Sequence, residues 1–196
     1  SGEQMKDYSS YFKGPPLNEA KKRSHDRVNR YDDAYHIPAD MIKAGVGKKY
    51  YIQTYGCQAN ERDSETLSGI LESMSYKPAE DIKEADVIIL NTCAIRENAE
   101  EKVFGKVGYV KNLKKTNPDL IFGMCGCMAQ EEVVIKRILE KHPHVDLIFG
   151  THNIHRLPEL LKEAMYSKEM VVEVWSKEGD VIENTPVKRA NKYKAW

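Results

Sequence analysis

Four cysteines stand in this chain, and three of them share one kind of setting. Cys57 follows Thr54-Tyr55-Gly56, Cys93 follows Asn91-Thr92, and Cys127 follows Cys125-Gly126. Each comes just after a strand-like apolar run and just before a segment with helical spacing. In an open α/β sheet that place is the carboxyl end of a strand, and ligands bind in the crevice outside those ends, where strand order reverses. Three thiols far apart in sequence would therefore face one mouth. Thiolates are the ligands of iron–sulfur clusters, normally four to a cluster, so a set of three leaves one iron open to an exogenous sulfur or a substrate. Helices starting beside the thiols favour a negative cluster and lower thiol pKa values through their N-terminal N–H groups. Gly56 and Gly126 let the backbone approach closely.

Other readings of the same residues stay open at this point. Three cysteines and one histidine make an ordinary zinc set, with His152, after the fifth expected strand, as the fourth ligand. That histidine equally reads as a helix-entry residue in Thr151-His152-Asn153. Buried cysteines also act as small hydrophobes, which suits Cys125 best because it lies inside its strand rather than after it. Polar companions near the expected mouth are Gln58, Asn60, Asn91, Thr92, Arg96, Glu97, Asn98 and Gln130. Gln58, Asn60, Asn91, Arg96 and Gln130 are the candidates for hydrogen bonds to sulfur, which tune a cluster, or for contact with substrate. Arg96 suits a phosphate or other substrate anion, or an exposed pairing with Glu100 one helical turn on.

The elements that must position these side chains follow from periodicity. Lys49–Tyr55 reads as a strand ending in Gly56-Cys57. Residues 60–73 carry Leu67, Ile70 and Leu71 at helical spacing, with Asn60 or Asp63 as the cap. Tyr76–Ala79 reads as a short strand. Val87-Ile88-Ile89-Leu90 suits a strand buried on both faces of a parallel sheet. A helix is expected from Ile95 to about Lys115, ending before Asn117-Pro118. Leu120–Cys125 reads as a strand, Gln130–Lys141 as a helix, Val145–Phe149 as a strand, and Asn153–Tyr166 as a helix broken near Pro158. Val171–Trp175 reads as an added edge strand. Strands alternating with helices predict an α/β domain, a flavodoxin-like parallel sheet of order 2-1-3-4-5 with helices on both faces, in three layers.

Around this unit, residues 1–48 read as a polar N-terminal arm with Gly14-Pro15-Pro16, the basic run Lys21-Lys22-Arg23 and a short helix around Asn18–Asn29. Residues 49–182 make the cysteine-bearing domain. Residues 183–196, with Lys188, Arg189, Lys192 and Lys194, read as a linker toward a missing domain. The 196 residues are 41% hydrophobic with a formal net charge of zero, so bulk charge points to no partner, and any nucleic-acid contact must come from local patches. No run approaches the roughly 20 apolar residues of a membrane span, and no signal peptide is visible. The expected compartment is the cytoplasm, where thiols stay reduced.

Three motifs carry a family resemblance. Thr-Tyr-Gly-Cys-Gln-Ala-Asn at 54–60 with Asp-Ser-Glu at 63–65, Asn-Thr-Cys-Ala-Ile-Arg-Glu-Asn-Ala-Glu at 91–100, and Gly-Cys-Met-Ala-Gln at 126–130 resemble the motifs of radical methylthiotransferases. The likeness runs from about residue 49 to the end, and Ala59 stands where relatives usually carry Met. The resemblance implies that Cys57, Cys93 and Cys127 hold an auxiliary 4Fe–4S cluster. It also implies a following domain with a second 4Fe–4S cluster on C-x-x-x-C-x-x-C that cleaves S-adenosylmethionine, and a last domain that helps bind tRNA. The whole enzyme would add a methylthio group to C2 of N(6)-dimethylallyladenosine beside the anticodon, drawing electrons from a reductant such as flavodoxin. The N-terminal arm and Gly150–His155 favour that branch over sister enzymes acting on threonylcarbamoyl-adenosine in tRNA or on a ribosomal-protein aspartate. A non-enzymatic flavodoxin-like or zinc-binding module is the alternative of another class; no Gly-rich phosphate loop supports a nucleotide-binding version. This chain contains no C-x-x-x-C-x-x-C, so no catalytic residue is expected within it and the fragment alone is expected to be inactive.

Overall fold

The computed structural model describes residues 35–93, 97–175, 181–183 and 186–187. Strands β1 (Lys49–Thr54), β2 (Lys77–Pro78), β3 (Val87–Thr92), β4 (Ile121–Gly126), β5 (Leu147–Phe149), β6 (Met170–Trp175), β7 (Val181–Glu183) and β8 (Pro186–Val187) form one sheet. Its order is β2-β1-β3-β4-β5-β6-β7, with β8 also against β6. Pairing is parallel from β2 to β6, and β7 and β8 run antiparallel to β6. The first five strands thus have the expected order 2-1-3-4-5.

Helices α1 (Gln58–Ser73), α2 (Glu97–Thr116), α3 (Glu132–Lys141) and α4 (Leu157–Tyr166) cover both faces. Side chains alternate across a strand, and β3 and β4, buried along their whole length, feed two cores. Ile88, Leu90, Phe122 and Met124 pack with Val103, Val107 and Val110 of α2 and Ile135 and Ile138 of α3. Val87, Ile89, Ile121 and Cys125 pack with Leu67, Ile70 and Leu71 of α1 and Leu160 and Leu161 of α4. The result is the three-layer α/β arrangement of a flavodoxin-like fold. Each fully buried aliphatic side chain contributes about 1.5–3 kcal/mol, so the two cores anchor every strand that leads to a cysteine.

Four local expectations are corrected. β6 is not an edge strand: it lies between β5 and β7–β8. Its Glu173 is 1% exposed because Arg156 and Asn153 meet it inside. Neither Asn60 nor Asp63 caps α1: Cys57 is its N-cap residue, and Asn60 is turned into the protein. Pro158 does not break a helix, because the segment before it is a 3-10 turn (Thr151–Arg156) and the proline sits in the first turn of α4, where no N–H is needed. The strand expected over Tyr76–Ala79 contracts to Lys77–Pro78 at the sheet margin.

Of the expected arm, residues 35–48 dock on the domain. Met41 is buried in the α1/α4 core, Asp40 pairs with Lys162 at 2.7 Å, and Gly45 N–H donates to the Met74 carbonyl at 2.8 Å. The helix expected around Asn18–Asn29 lies outside the described residues, as do Arg96 and the basic residues of the tail.

Candidate metal centre

Register places the cysteine loops. Thr54 pairs with Asn91 and Asn91 with Cys125, while Thr92 pairs with Gly126. Cys93 and Cys127 are therefore each one residue beyond a matched pair on adjacent strands, and Cys57 lies three residues beyond the end of β1. All three stand at the carboxyl edge, on β1, β3 and β4, where the order reverses between β1 and β3.

The first loop turns at Gly56, whose φ of +109° suits glycine. A Cβ there would lie 2.4 Å from Cys93 Cβ and 2.8 Å from Cys93 Sγ. The Cys57 and Cys93 loops thus touch through a space that only glycine leaves open. Cys57 is exposed, and its S–H donates to Asn60 Oδ1 at 3.4 Å. The N–H groups of Asn60 and Ala59, unpaired at the start of α1, lower its pKa by favouring the thiolate; weak burial and Asp63 oppose them.

Beneath the loops lies a buried polar network centred on Thr92. Its carbonyl accepts from Asn60 Nδ2 at 2.9 Å and from the Cys127 N–H at 3.2 Å. Its hydroxyl donates to the Cys125 carbonyl at 2.6 Å and accepts from the Ala129 N–H at 3.3 Å. Asn91 Nδ2 donates to the Asn60 carbonyl at 2.8 Å and to Ser64 Oγ at 2.9 Å, and Ser64 shares a 2.7 Å bond with Thr54. Asn91 and Thr92 are wholly buried and Asn60 nearly so. Gly126, with φ +96°, admits the close passage of β4: a Cβ would stand 1.9 Å from the Thr92 carbonyl oxygen.

The predicted companions divide. Asn60 and Asn91 belong to this network. Gln58 is exposed on the first turn of α1, and Gln130 brings a buried Oε1 with no hydrogen-bond partner among the described residues into the turn after Cys127. Arg96 lies outside the described residues. Cys125 is fully buried in the α1/α4 core, and burial pushes its thiol far above the usual range. His152 is exposed; together with His155 it lowers the pKa of half-buried Asp63, which burial raises. Among the described residues, no three His, Cys, Asp or Glu side chains stand together closely enough to hold a metal ion.

Sequence reading missed Thr54 and Ser64. Ser64 lies four residues after Asn60, hence on the same face of α1, and that spacing was the available signal. It also missed the Arg156–Glu173–Asn153 cluster that fixes the turn bearing His152 and His155, because its members are 17 to 20 residues apart.

Known proteins match this chain closely. It is 60% identical over 195 residues to the tRNA-2-methylthio-N(6)-dimethylallyladenosine synthase of Bacillus licheniformis, covering 97% of this chain and 38% of the relative. The protein of the same name in Bacillus subtilis gives the same identity and coverage. That of Oceanobacillus iheyensis is 61% identical over 182 residues, 93% of this chain and 35% of the relative. The chain therefore spans little more than a third of the length of these relatives. The stretch that carries all four cysteines, residues 49–150, matches the uncharacterized protein family UPF0004, and the chain belongs to that family, the N-terminal domain of methylthiotransferases that its motifs resemble.

Proposed function

We propose that residues 49–182 are the iron–sulfur domain of a tRNA methylthiotransferase, and that Cys57, Cys93 and Cys127 are the thiolate ligands of a 4Fe–4S cluster. The observation that carries this reading is the Thr92 carbonyl, bonded both to Asn60 at the start of the Cys57 helix and to the backbone of Cys127, with Cys93 as the next residue. One peptide group thus ties the three cysteine loops together. The donor chemistry fits: Cys57 is exposed and poised toward thiolate, Cys93 and Cys127 are partly exposed, and Cys125 is withdrawn into the core. Binding must draw the three thiols closer, and Cys57 can swing by giving up its 3.4 Å contact with Asn60. Gln130, with its buried amide oxygen unpaired, can turn its NH₂ toward a sulfur instead. A cluster held by three protein thiolates leaves one iron free to hold an exogenous sulfur.

The substrate in this reading is the one in the relatives' name, N(6)-dimethylallyladenosine in tRNA. Residues 183–196 would lead to a domain that binds the second 4Fe–4S cluster and S-adenosylmethionine, reduced by a protein such as flavodoxin. No helix among the described residues is long and apolar enough to cross a membrane, and a cytoplasmic setting suits both tRNA and reduced thiols.

Anaerobic reconstitution with iron and sulfide, followed by metal analysis and Mössbauer spectroscopy, tests the site. The wild-type chain and Cys125→Ala should take up iron and sulfide; Cys57→Ala, Cys93→Ala and Cys127→Ala should not. Iron loss confined to Cys125→Ala would overturn the ligand set, and zinc retained in place of iron would favour the zinc module. With S-adenosylmethionine and reductant, the loaded chain should release no 5′-deoxyadenosine.

A further inference from the structure

Between Lys102 and Pro118 the chain has five lysines and no carboxylate. Nearly all of that stretch is α2. Its inner face is turned to the core through Val103, Phe104, Val107 and Val110, and Lys114 pairs with buried Asp146. At 3.6 residues per turn, the outward crest carries Gly105, Gly108, Tyr109 and Asn112, and exposed Glu101, one turn before Gly105, bounds it at the start of the helix. Lys102 and Lys106 line one side of that crest, and Lys111 and Lys115 the other. Among the described residues none of these four lysines forms an ion pair. The Lys106 ammonium lies over the Tyr109 ring, 5.4 Å from its centroid.

The two glycines sharpen the point. Gly56 and Gly126 are required by their neighbours, but a Cβ at Gly105 or Gly108 would meet nothing within 4 Å. Glycine weakens a helix relative to alanine, and nothing in the fold requires it here. A crest that is low at its two glycines, between two rows of lysines that form no ion pair among the described residues, is suited to a polyanion that lies close along the helix.

We propose that this face of α2 docks the sugar–phosphate backbone of RNA; the choice of RNA among polyanions rests on the reading of the domain as part of a tRNA-modifying enzyme. From Lys102 to Lys115 the face runs about 20 Å at 1.5 Å per residue. It begins near the carboxyl edge, since α2 starts four residues beyond Cys93, and it runs away from the cysteines. The lysines neutralise phosphates without reading sequence, and the Tyr109 hydroxyl can add a bond to a phosphate or sugar oxygen. α2 would thus hold the stem of an RNA whose loop lies toward the cysteine mouth.

Fluorescence anisotropy of a labelled RNA stem-loop of arbitrary sequence, titrated with this chain across a salt series, tests the proposal. The double variants Lys102→Ala/Lys106→Ala and Lys111→Ala/Lys115→Ala should each lower the slope of log K against log salt by about two, one for each phosphate no longer neutralised, and weaken binding about tenfold at moderate salt. Alanine at Lys188, Arg189, Lys192 and Lys194 should leave that α2-dependent part in place. Thermal melts confirm that the variants fold, which three exposed lysines and the half-buried Lys106 permit. No RNA binding at the lowest salt, a slope unchanged in both α2 variants, or loss in those variants of self-association rather than RNA binding would each overturn the proposal. Iron uptake measured on the same samples separates the two readings. Loaded protein whose RNA binding ignores α2 defeats this proposal alone, whereas α2-dependent binding by protein that takes up no iron upholds it and defeats the cluster assignment.

Discussion

At the amino edge of the sheet the strand ends present N–H groups, and carboxylates receive them. Asp86 Oδ2 accepts from Lys49 N at 3.0 Å, and Asp146 Oδ2 accepts from Phe122 N at 2.9 Å while pairing with Lys114. At the carboxyl edge the strand ends present carbonyls, and neutral donors receive those: Asn60 Nδ2 on Thr92, Thr92 Oγ1 on Cys125. The difference is one of charge. The amino edge is sealed by fixed ions, whereas the carboxyl edge is closed beneath the cysteines by amides and hydroxyls alone. Asp63 is the acid whose field reaches Cys57, and burial raises its pKa, which disfavours its anion. Thiolates and a negative cluster would therefore meet mainly helix N–H groups. The uncharged bonds are local to the cysteine loops: farther along the same edge Arg156 pairs with buried Glu173 at the turn after β5, as Lys114 pairs with Asp146 at the amino edge.

The contrast is tested hardest at Gly126. Gly126→Ala places a methyl 1.9 Å from the Thr92 carbonyl oxygen at a φ of +96°, so backbone must move against backbone. Urea unfolding should show a loss of about 4 kcal/mol or more, or no folded protein. Equal stability would mean that the two loops are not locked together as described.

Acid should act on the opposite edge. His144 stacks on Phe122 at 5.8 Å and bonds the Val107 carbonyl at 2.7 Å; burial, with Lys114 and His142 adding repulsion, pushes its pKa down to about 4. The folded pKa lies below the unfolded value of about 6.5. This contribution is therefore whole above about 6.5 and is lost as pH falls toward 4, by an amount on the order of 3 kcal/mol at about 1.4 per pKa unit. Stability measured across that range should fall in the wild type and flatten in His144→Gln. A curve identical in both would remove the histidine from the account.

Thr92→Val should cost less, about 2 kcal/mol, by leaving the Cys125 carbonyl and the Ala129 N–H without their partner. Its second effect decides between the edges: iron uptake should fall, because the hydroxyl ties the Cys127 turn to β3. Asp146→Asn, at the amino edge, should reduce stability and leave iron uptake intact.

How much of this was legible in the sequence depended on distance along the chain. Val87–Leu90 and Ile121–Met124 announce buried parallel strands by composition, so the strand ends that bear Cys57, Cys93 and Cys127 could be read, while the order 2-1-3-4-5 came from choosing a flavodoxin-like topology that the sheet then showed. The caps could not: Asn60 has the composition of a helix cap, but its amide finds a better partner in Thr92, 32 residues away. The partner of Glu173 was equally hidden, because Arg156 precedes it by 17 residues, outside any local window. Asp86 and Asp146 were likewise silent, since an aspartate before a strand reads as an ordinary turn residue.

The smallest effect separates the charges that hold the amino edge from those that merely lie on it. Lys49 meets two carboxylates there: its ammonium reaches Glu84 at 3.3 Å, and its backbone N–H donates to Asp86 at 3.0 Å. The Glu84 pair is about half exposed on both sides, 47% and 51%, so water and salt screen it. Asp86 accepts a strand-end N–H and also the Asn117 amide at 3.3 Å, which joins β1, β3 and the end of α2. Glu84→Ala should therefore change stability by no more than about 0.5 kcal/mol, and added salt should mask even that. Asp86→Ala should cost about 2 kcal/mol and resist salt, because it leaves backbone and amide donors unanswered. If urea titrations gave the two variants equal losses, the seal at this edge would be surface electrostatics, and the contrast with the neutral bonds beneath the cysteines would lose its basis.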